Sequence, residues 1–200
     1  MKVLLVATAN PDKLKEIVRA LADLPVTLKT LNDFPGVTIA EETGSTFAEN
    51  ARLKALHYAT ATGLLTMAED SGFEVDALNR EPGIYSARYL GPNATYPERF
   101  EAIYAAVRRR KDKSDQSNGA RFVCAVALAA DGKIAFETRA VVEGRLAAQP
   151  SGTGGFGYDP IFCYPPYGKT FAEVTPEQKL AVSHRGEAIR ALKTHLEQNL

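Results

Sequence analysis

Cysteine is scarce in this chain. There are two, Cys124 and Cys163, too few for a disulfide framework and too far apart for a metal-binding spacing. Both sit among apolar neighbours, which predicts buried thiols in a reducing compartment. Net charge is missing too: 24 basic and 24 acidic side chains cancel. A broad basic surface for duplex nucleic acid is therefore not expected. No apolar run approaches the roughly 20 residues that a membrane helix needs. The opening MKVLLVATAN is a short apolar run that meets Asn10-Pro11. It has no small-residue cleavage site and reads as a first strand, not a signal peptide. Together these absences predict a cytoplasmic chain whose partners include neither nucleic acid nor membrane.

What is present suits an ordinary globular protein. The 200 residues are 45% hydrophobic and 24% charged. That is enough for a sizeable core in a single domain spanning 1–200, or one domain with a lobe folded back on it. Residues 2–7 are rich in Val and Leu, as in a buried strand, and Asn10-Pro11-Asp12 breaks the run. Leu14, Ile17, Val18 and Leu21 repeat at helical spacing. A second strand is expected over 26–31. Thr46-Phe47-Ala48-Glu49 has the form of a capping box, opening a helix that Gly63 stops. A buried strand over 64–68 is expected to end at Glu69-Asp70-Ser71-Gly72. An irregular aromatic segment follows at 82–89. A helix opened near Thr95 carries Phe100, Ile103, Tyr104 and Val107, and the charge run at 108–113 reads as its solvated end. Asp131-Gly132 separates two strands, 122–129 and 133–142, as a hairpin turn does. Thr175-Pro176-Glu177-Gln178 caps a short helix, and Ile189, Leu192 and Leu196 mark the closing one. Strands alternating with helices, plus one hairpin, predict a mixed α/β domain.

Four segments gather polar residues at element ends, where α/β proteins place their sites. Thr8-Ala9-Asn10-Pro11-Asp12-Lys13 lies between a strand and a helix, so backbone N–H groups and a lysine are available to an anion. It lacks the glycines of a Walker loop, and alone it reads equally as a plain turn. Glu41-Glu42-Thr43-Gly44, followed by Asn50 and Lys54, offers hard oxygen ligands or merely solvated acids near a helix start. Glu69-Asp70 directly follows an apolar strand, where acids are destabilising unless paired or metal-bound. A carboxylate beside magnesium can orient and deprotonate a water. In 154–160, glycines flank Phe156, with Lys179 and Ser183-His184-Arg185-Gly186 downstream. That composition lets backbone approach a flat ligand on which the ring stacks.

Taken in order, these segments resemble the inosine triphosphate pyrophosphatase family of non-canonical purine triphosphate pyrophosphatases. The resemblance rests on Thr-x-Asn-x-x-Lys at 8–13, Glu-Glu-Thr-Gly-x-Thr-Phe-x-Glu-Asn-Ala at 41–51 and Asp-Ser-Gly-x-x-Val-Asp-Ala-Leu at 70–78. Pro-Gly-Ile-Tyr-Ser-Ala-Arg-Tyr at 82–89, Gly-Gly-Phe-Gly-Tyr-Asp-Pro-Ile-Phe at 154–162 and Ser-His-Arg-Gly at 183–186 complete it. Two positions depart from the family pattern: Ala9 stands for a common glycine and Glu69 for a common aspartate. The resemblance implies an elongated mixed β-sheet flanked by helices, two lobes with a nucleotide cleft between them, and a homodimer. It implies Mg²⁺ held by Glu41 and Asp70, with Glu42 as the alternative to Glu41. It implies Asp70 as the base on the attacking water. Lys13, Lys54 and Lys179 then neutralise a purine nucleoside triphosphate whose phosphates meet the 8–13 loop and Ser71. Phe156 stacks on the purine, with Gly157, Tyr158, Asp159, His184 and Arg185 completing the pocket.

Overall fold

The computed structural model describes residues 2–110 and 118–199. The last part of the charge run, 111–113, lies outside them. Arg108, Arg109 and Arg110 end a helix and are exposed. The first strand, β1 (Lys2–Val6), leads through a short loop into α1 (Pro11–Ala20), which opens at Asn10-Pro11. The carboxamide oxygen of Asn10 caps α1, accepting the N–H groups of Asp12 and Lys13 at 2.9 and 3.1 Å. Then come β2 (Val26–Thr30) and α2 (Phe47–Thr62). Thr46 caps α2 as expected, accepting the Glu49 N–H. The Glu49 carboxylate does not return to Thr46; both the N–H and the hydroxyl of Ser45 donate to it at 2.7 Å.

β3 (Leu65–Val75) carries a correction. The expected strand end at Glu69-Asp70-Ser71-Gly72 is not an end. Ser71-Gly72 reads locally as a turn, but the strand runs through it for 11 residues. Each buried acid in it has a cation to meet, so nothing forces the backbone outward. The elements that follow are α3 (Tyr96–Arg110), β4 (Gly119–Ala130), β5 (Lys133–Leu146), β6 (Phe162–Tyr164), β7 (Lys169–Thr170), α4 (Pro176–Val182) and α5 (His184–Asn199). The Asp131-Gly132 turn joins β4 to β5, and both strands outrun their apolar stretches. Strands β6 and β7 are too short to leave a periodic signal in sequence.

The seven strands form one mixed sheet in the order β2-β1-β3-β4-β5-β6-β7. β1 is parallel to both β2 and β3, whereas β5–β6 and β6–β7 are antiparallel. The chain folds as two compact units. The first comprises 1–71, 124–140 and 183–200, and the second 72–123 and 141–182. In the first, Leu4, Val6 and Met67 pack with Ile17 of α1, Leu21 just after it, and Ile189, Leu192 and Leu196 of α5. Each such fully buried aliphatic chain contributes about 1.5–3 kcal/mol. The second has an aromatic core built around Phe73, Phe122, Tyr158, Phe162 and Phe171. Among the described residues no helix is long and apolar enough to cross a membrane.

Candidate active site

Sheet alternation decides the first unit's polar cluster. Val6 pairs in register with Met67, and both join the core under α1 and α5. Successive strand residues face opposite ways. Glu69 and Ser71 therefore share that face, and Asp70 points to the other. β1 makes its last bond to β3 through the Ala7 N–H and the Met67 carbonyl. The three polar residues thus lie just past the carboxyl end of β1, beside the loop that opens α1.

On the α1/α5 face, Glu69 is 2% exposed and surrounded by cations. Lys13 Nζ is 2.7 Å from its Oε1 and Arg185 is 3.5 Å from its Oε2. The same guanidinium donates to Glu16 at 2.6 Å and to the Ser71 hydroxyl at 2.8 Å. The Cys124 thiol lies 3.4 Å from Glu69. Burial by itself would raise the Glu69 carboxyl, but Lys13, then Arg185 and Lys54, hold it well below the usual carboxylate range. Burial and the Glu69 charge push the Cys124 thiol well up, so it stays a thiol.

On the opposite face, Asp70 is 6% exposed. Lys54 of α2 donates to Asp70 at 3.2 Å and to Glu42 at 2.5 Å. Asn50 donates to the second oxygen of Asp70 at 3.1 Å. Burial pushes Asp70 upward; Lys54 and Lys13 oppose this, while Glu42 and Glu69 add to it, and the net shift is up. Lys54 is buried as well, yet Asp70 first and then Glu69 and Glu42 raise its affinity for a proton. Adjacent carboxylates with environments that pull their pKa values apart are the signature of divided roles. Here the surrounding cations hold Glu69 down while burial drives Asp70 up.

Of the two acids that the sequence left open, the structure brings Glu42 to this cluster. Glu41 is exposed and is not among the residues that meet Lys54 or Asp70. Next to Glu42 the loop comes close to α2: the Gly44 N–H donates to the Asn50 carboxamide oxygen at 2.8 Å, and a Cβ on Gly44 would lie 2.7 Å from that oxygen, so only glycine fits. Asn50, fully buried, was not assigned a site role from sequence. Neither were Glu16 and Cys124. Nothing local marks them, because their partners are 169 and 55 residues away.

Among the described residues no group of three His, Cys, Asp or Glu side chains is arranged to hold a metal ion. Magnesium, however, takes only one or two carboxylates when substrate phosphates supply the rest. Glu42 and Asp70, like charges facing each other across one lysine, fit that requirement.

The second unit holds the glycine-rich loop. Asp159 is buried, and its Oδ2 accepts the Phe156 N–H at 2.7 Å and Lys179 Nζ at 2.5 Å. Lys179 Nζ also sits 4.3 Å from the centroid of the Phe156 ring, a cation–π contact on one face. Gly155 has a left-handed φ of +65°, and a Cβ there would fall 2.1 Å from the Asp159 carboxylate. Phe156 and Gly157 are half-buried, and Tyr158 is buried. Thr8, Ala9, Asn10, Pro11, Asp12 and Lys13 form the turn and first helical turn after β1, and His184 and Arg185 begin α5. His184 is buried, and the Arg185 guanidinium is held by Glu16, Glu69 and Ser71.

The Arg185 network has a direct consequence. Removing the guanidinium leaves Glu69 buried with less than its full counter-charge. Arg185→Leu is expected to destabilise the chain by about 3–5 kcal/mol. In a protein of this size that is a fall in Tm of roughly 10 °C. An unchanged Tm by calorimetry would show that Lys13 alone compensates Glu69.

Known proteins resemble this chain over nearly its whole length. The profile of the Ham1 family matches residues 4–195. A dITP/XTP pyrophosphatase of Thermus thermophilus is 50% identical over 192 residues, covering 96% of this chain and 90% of that protein. A HAM1 protein from Coxiella burnetii superimposes with a TM-score of 0.90 at 41% identity, covering 99% of this chain and all of the other. A nucleoside-triphosphatase, dITP/XTP pyrophosphatase, from Mycobacterium abscessus gives a TM-score of 0.75 at 42% identity, covering 95% and 98% of the two chains. With a profile match over nearly its whole length and relatives this similar, the chain belongs to the Ham1 family.

Proposed function

We propose that this chain hydrolyses the non-canonical purine triphosphates ITP, dITP and XTP to the nucleoside monophosphate and pyrophosphate, clearing deaminated purines from the nucleotide pool. The observation that carries the reading is Lys54 clamped between Glu42 and Asp70 midway along β3. It occurs in a chain 50% identical to a protein named dITP/XTP pyrophosphatase. The enzyme acts as one magnesium-dependent catalytic domain, 1–200, and works as a cytoplasmic homodimer.

The roles follow the geometry of each unit. In the first, the 8–13 loop and Ser71 receive phosphate oxygens, and Lys13 and Lys54 neutralise their charge. Phosphoryl transfer depends mostly on such positioning and charge stabilisation. Asp70, its carboxyl raised by burial, takes a proton from the attacking water. Lys54 orients Asp70, and Asn50 fixes its other oxygen. When bound by Glu42, Asp70 and the substrate's own phosphates, magnesium supplies charge neutralisation at the reacting phosphoryl group. In the second unit, Phe156 offers the purine the ring face that Lys179 does not cover.

Product analysis tests the attacked phosphorus. ITP with magnesium is expected to give IMP and pyrophosphate. Finding IDP and orthophosphate would reject attack at the α-phosphorus.

A further inference from the structure

The 82–89 segment has no part in the chemistry above, yet the buried Ser86 in it makes three hydrogen bonds. The Ser86 hydroxyl accepts the Phe73 N–H at 2.8 Å and donates to the Gly83 carbonyl at 2.6 Å. The Ser86 carbonyl accepts the Tyr158 hydroxyl at 2.8 Å. Tyr158 is stacked on Phe73, with ring centroids 5.1 Å apart, and meets Tyr96 edge-on at 5.4 Å. Burial raises its phenol, which stays protonated and donates. The Tyr158 side chain is therefore an anchor pointing into the second unit's core, and only its backbone borders the glycine-rich loop.

Such a loop needs anchors. Gly155 and Gly157 both have left-handed φ, and glycine backbone is intrinsically permissive. Two ties precede the last glycine: the Gly154 N–H to the Ala172 carbonyl at 2.9 Å, and the Phe156 N–H to Asp159. Beyond Gly157, the Tyr158 hydroxyl provides the next side-chain tie. A shift of about 1 Å in recognition groups is enough to degrade a site.

We propose that Ser86 and Tyr158 are positioning residues for base recognition: they fix the backbone at Gly157 and Tyr158 against which the purine is read. This rests on the reading above that the 156–158 loop receives the base.

Tyr158→Phe keeps the ring and deletes the bond, leaving the Ser86 carbonyl buried without its donor. It is expected to raise KM for ITP about tenfold, with kcat held within about twofold, and to narrow the ITP-to-ATP ratio of kcat/KM. Inhibition by inorganic tripolyphosphate, which has no base, is expected to stay at the wild-type level. Ser86→Ala frees the turn from Phe73 and is expected to move KM the same way. Phe156→Ala serves as the reference. If it raises KM while Tyr158→Phe leaves KM and the ratio unchanged, the anchor is refuted and the base site stands. If neither variant moves KM, the base site itself is refuted, and the anchor with it. Weaker tripolyphosphate inhibition in step with KM, a loss confined to kcat, or failure of both anchor variants to fold would make the contact merely structural and overturn the proposal.

Discussion

Asp70→Asn is expected to abolish turnover in a protein that remains folded. Asparagine has nearly the shape of aspartate, and Asn50 and Lys54 still border it. The amide cannot accept the proton of the attacking water, and general-base assistance is worth about 10²–10⁴-fold. The amide is also a poorer ligand for a hard cation, which adds to the loss. Stability is expected to change little or to rise, because the variant removes a buried charge that burial disfavours. The measurement is kcat for ITP at saturating magnesium, alongside Tm. A folded variant that retains near-wild-type turnover would remove Asp70 from the mechanism. A folded variant with no turnover would separate its catalytic role from any structural one.

The second large effect concerns the base. Wild-type kcat/KM for ITP and XTP is expected to exceed that for ATP and GTP by about 10⁴-fold, the scale that a mismatched buried polar group can impose. Hypoxanthine, xanthine and guanine present an oxygen at position 6, and adenine presents an amino group. A pocket offering donors accepts the first three and meets adenine donor to donor. The Phe156 N–H already donates to Asp159, and the Arg185 guanidinium is committed to Glu16, Glu69 and Ser71. The donors expected to meet the 6-oxygen are therefore the backbone N–H groups of Gly157 and Tyr158. Guanine passes this first criterion and is expected to be rejected at position 2, where the pocket offers its amino group no acceptor or faces it with another donor. The four rate constants, measured under one magnesium concentration, decide the matter. If ATP or GTP is turned over as well as ITP, the base-selection argument fails and a general nucleotide pyrophosphatase is the better reading.

Local chemistry was enough to read much of the scaffold from sequence. Asn10-Pro11 starts α1, because asparagine caps the helix and proline suits its first position. Thr46 and Gly63 bracket α2, and Thr95 with Glu98 closes a full capping box on α3. The Asp131-Gly132 hairpin falls where its dipeptide says it must. These signals act within four residues. The family, too, was legible, since six short motifs in order are specific even when each alone is weak.

The arrangement of charge was decided only by tertiary structure. Glu69-Asp70-Ser71-Gly72 reads as a turn, and it becomes strand because Lys13, Arg185 and Lys54 compensate its acids from both faces of the sheet. Once it is strand, alternation sends the two neighbouring carboxylates opposite ways, so they do not act as one pair. The same holds for Glu41 and Glu42, which local sequence cannot distinguish. Their difference appears only in the fold, where Lys54 meets Glu42, 12 residues before it, and Asp70, 16 residues after it. Periodicity and capping are short-range and survive in a one-dimensional string. Charge compensation depends on distances between residues far apart in that string, and only the folded chain sets them.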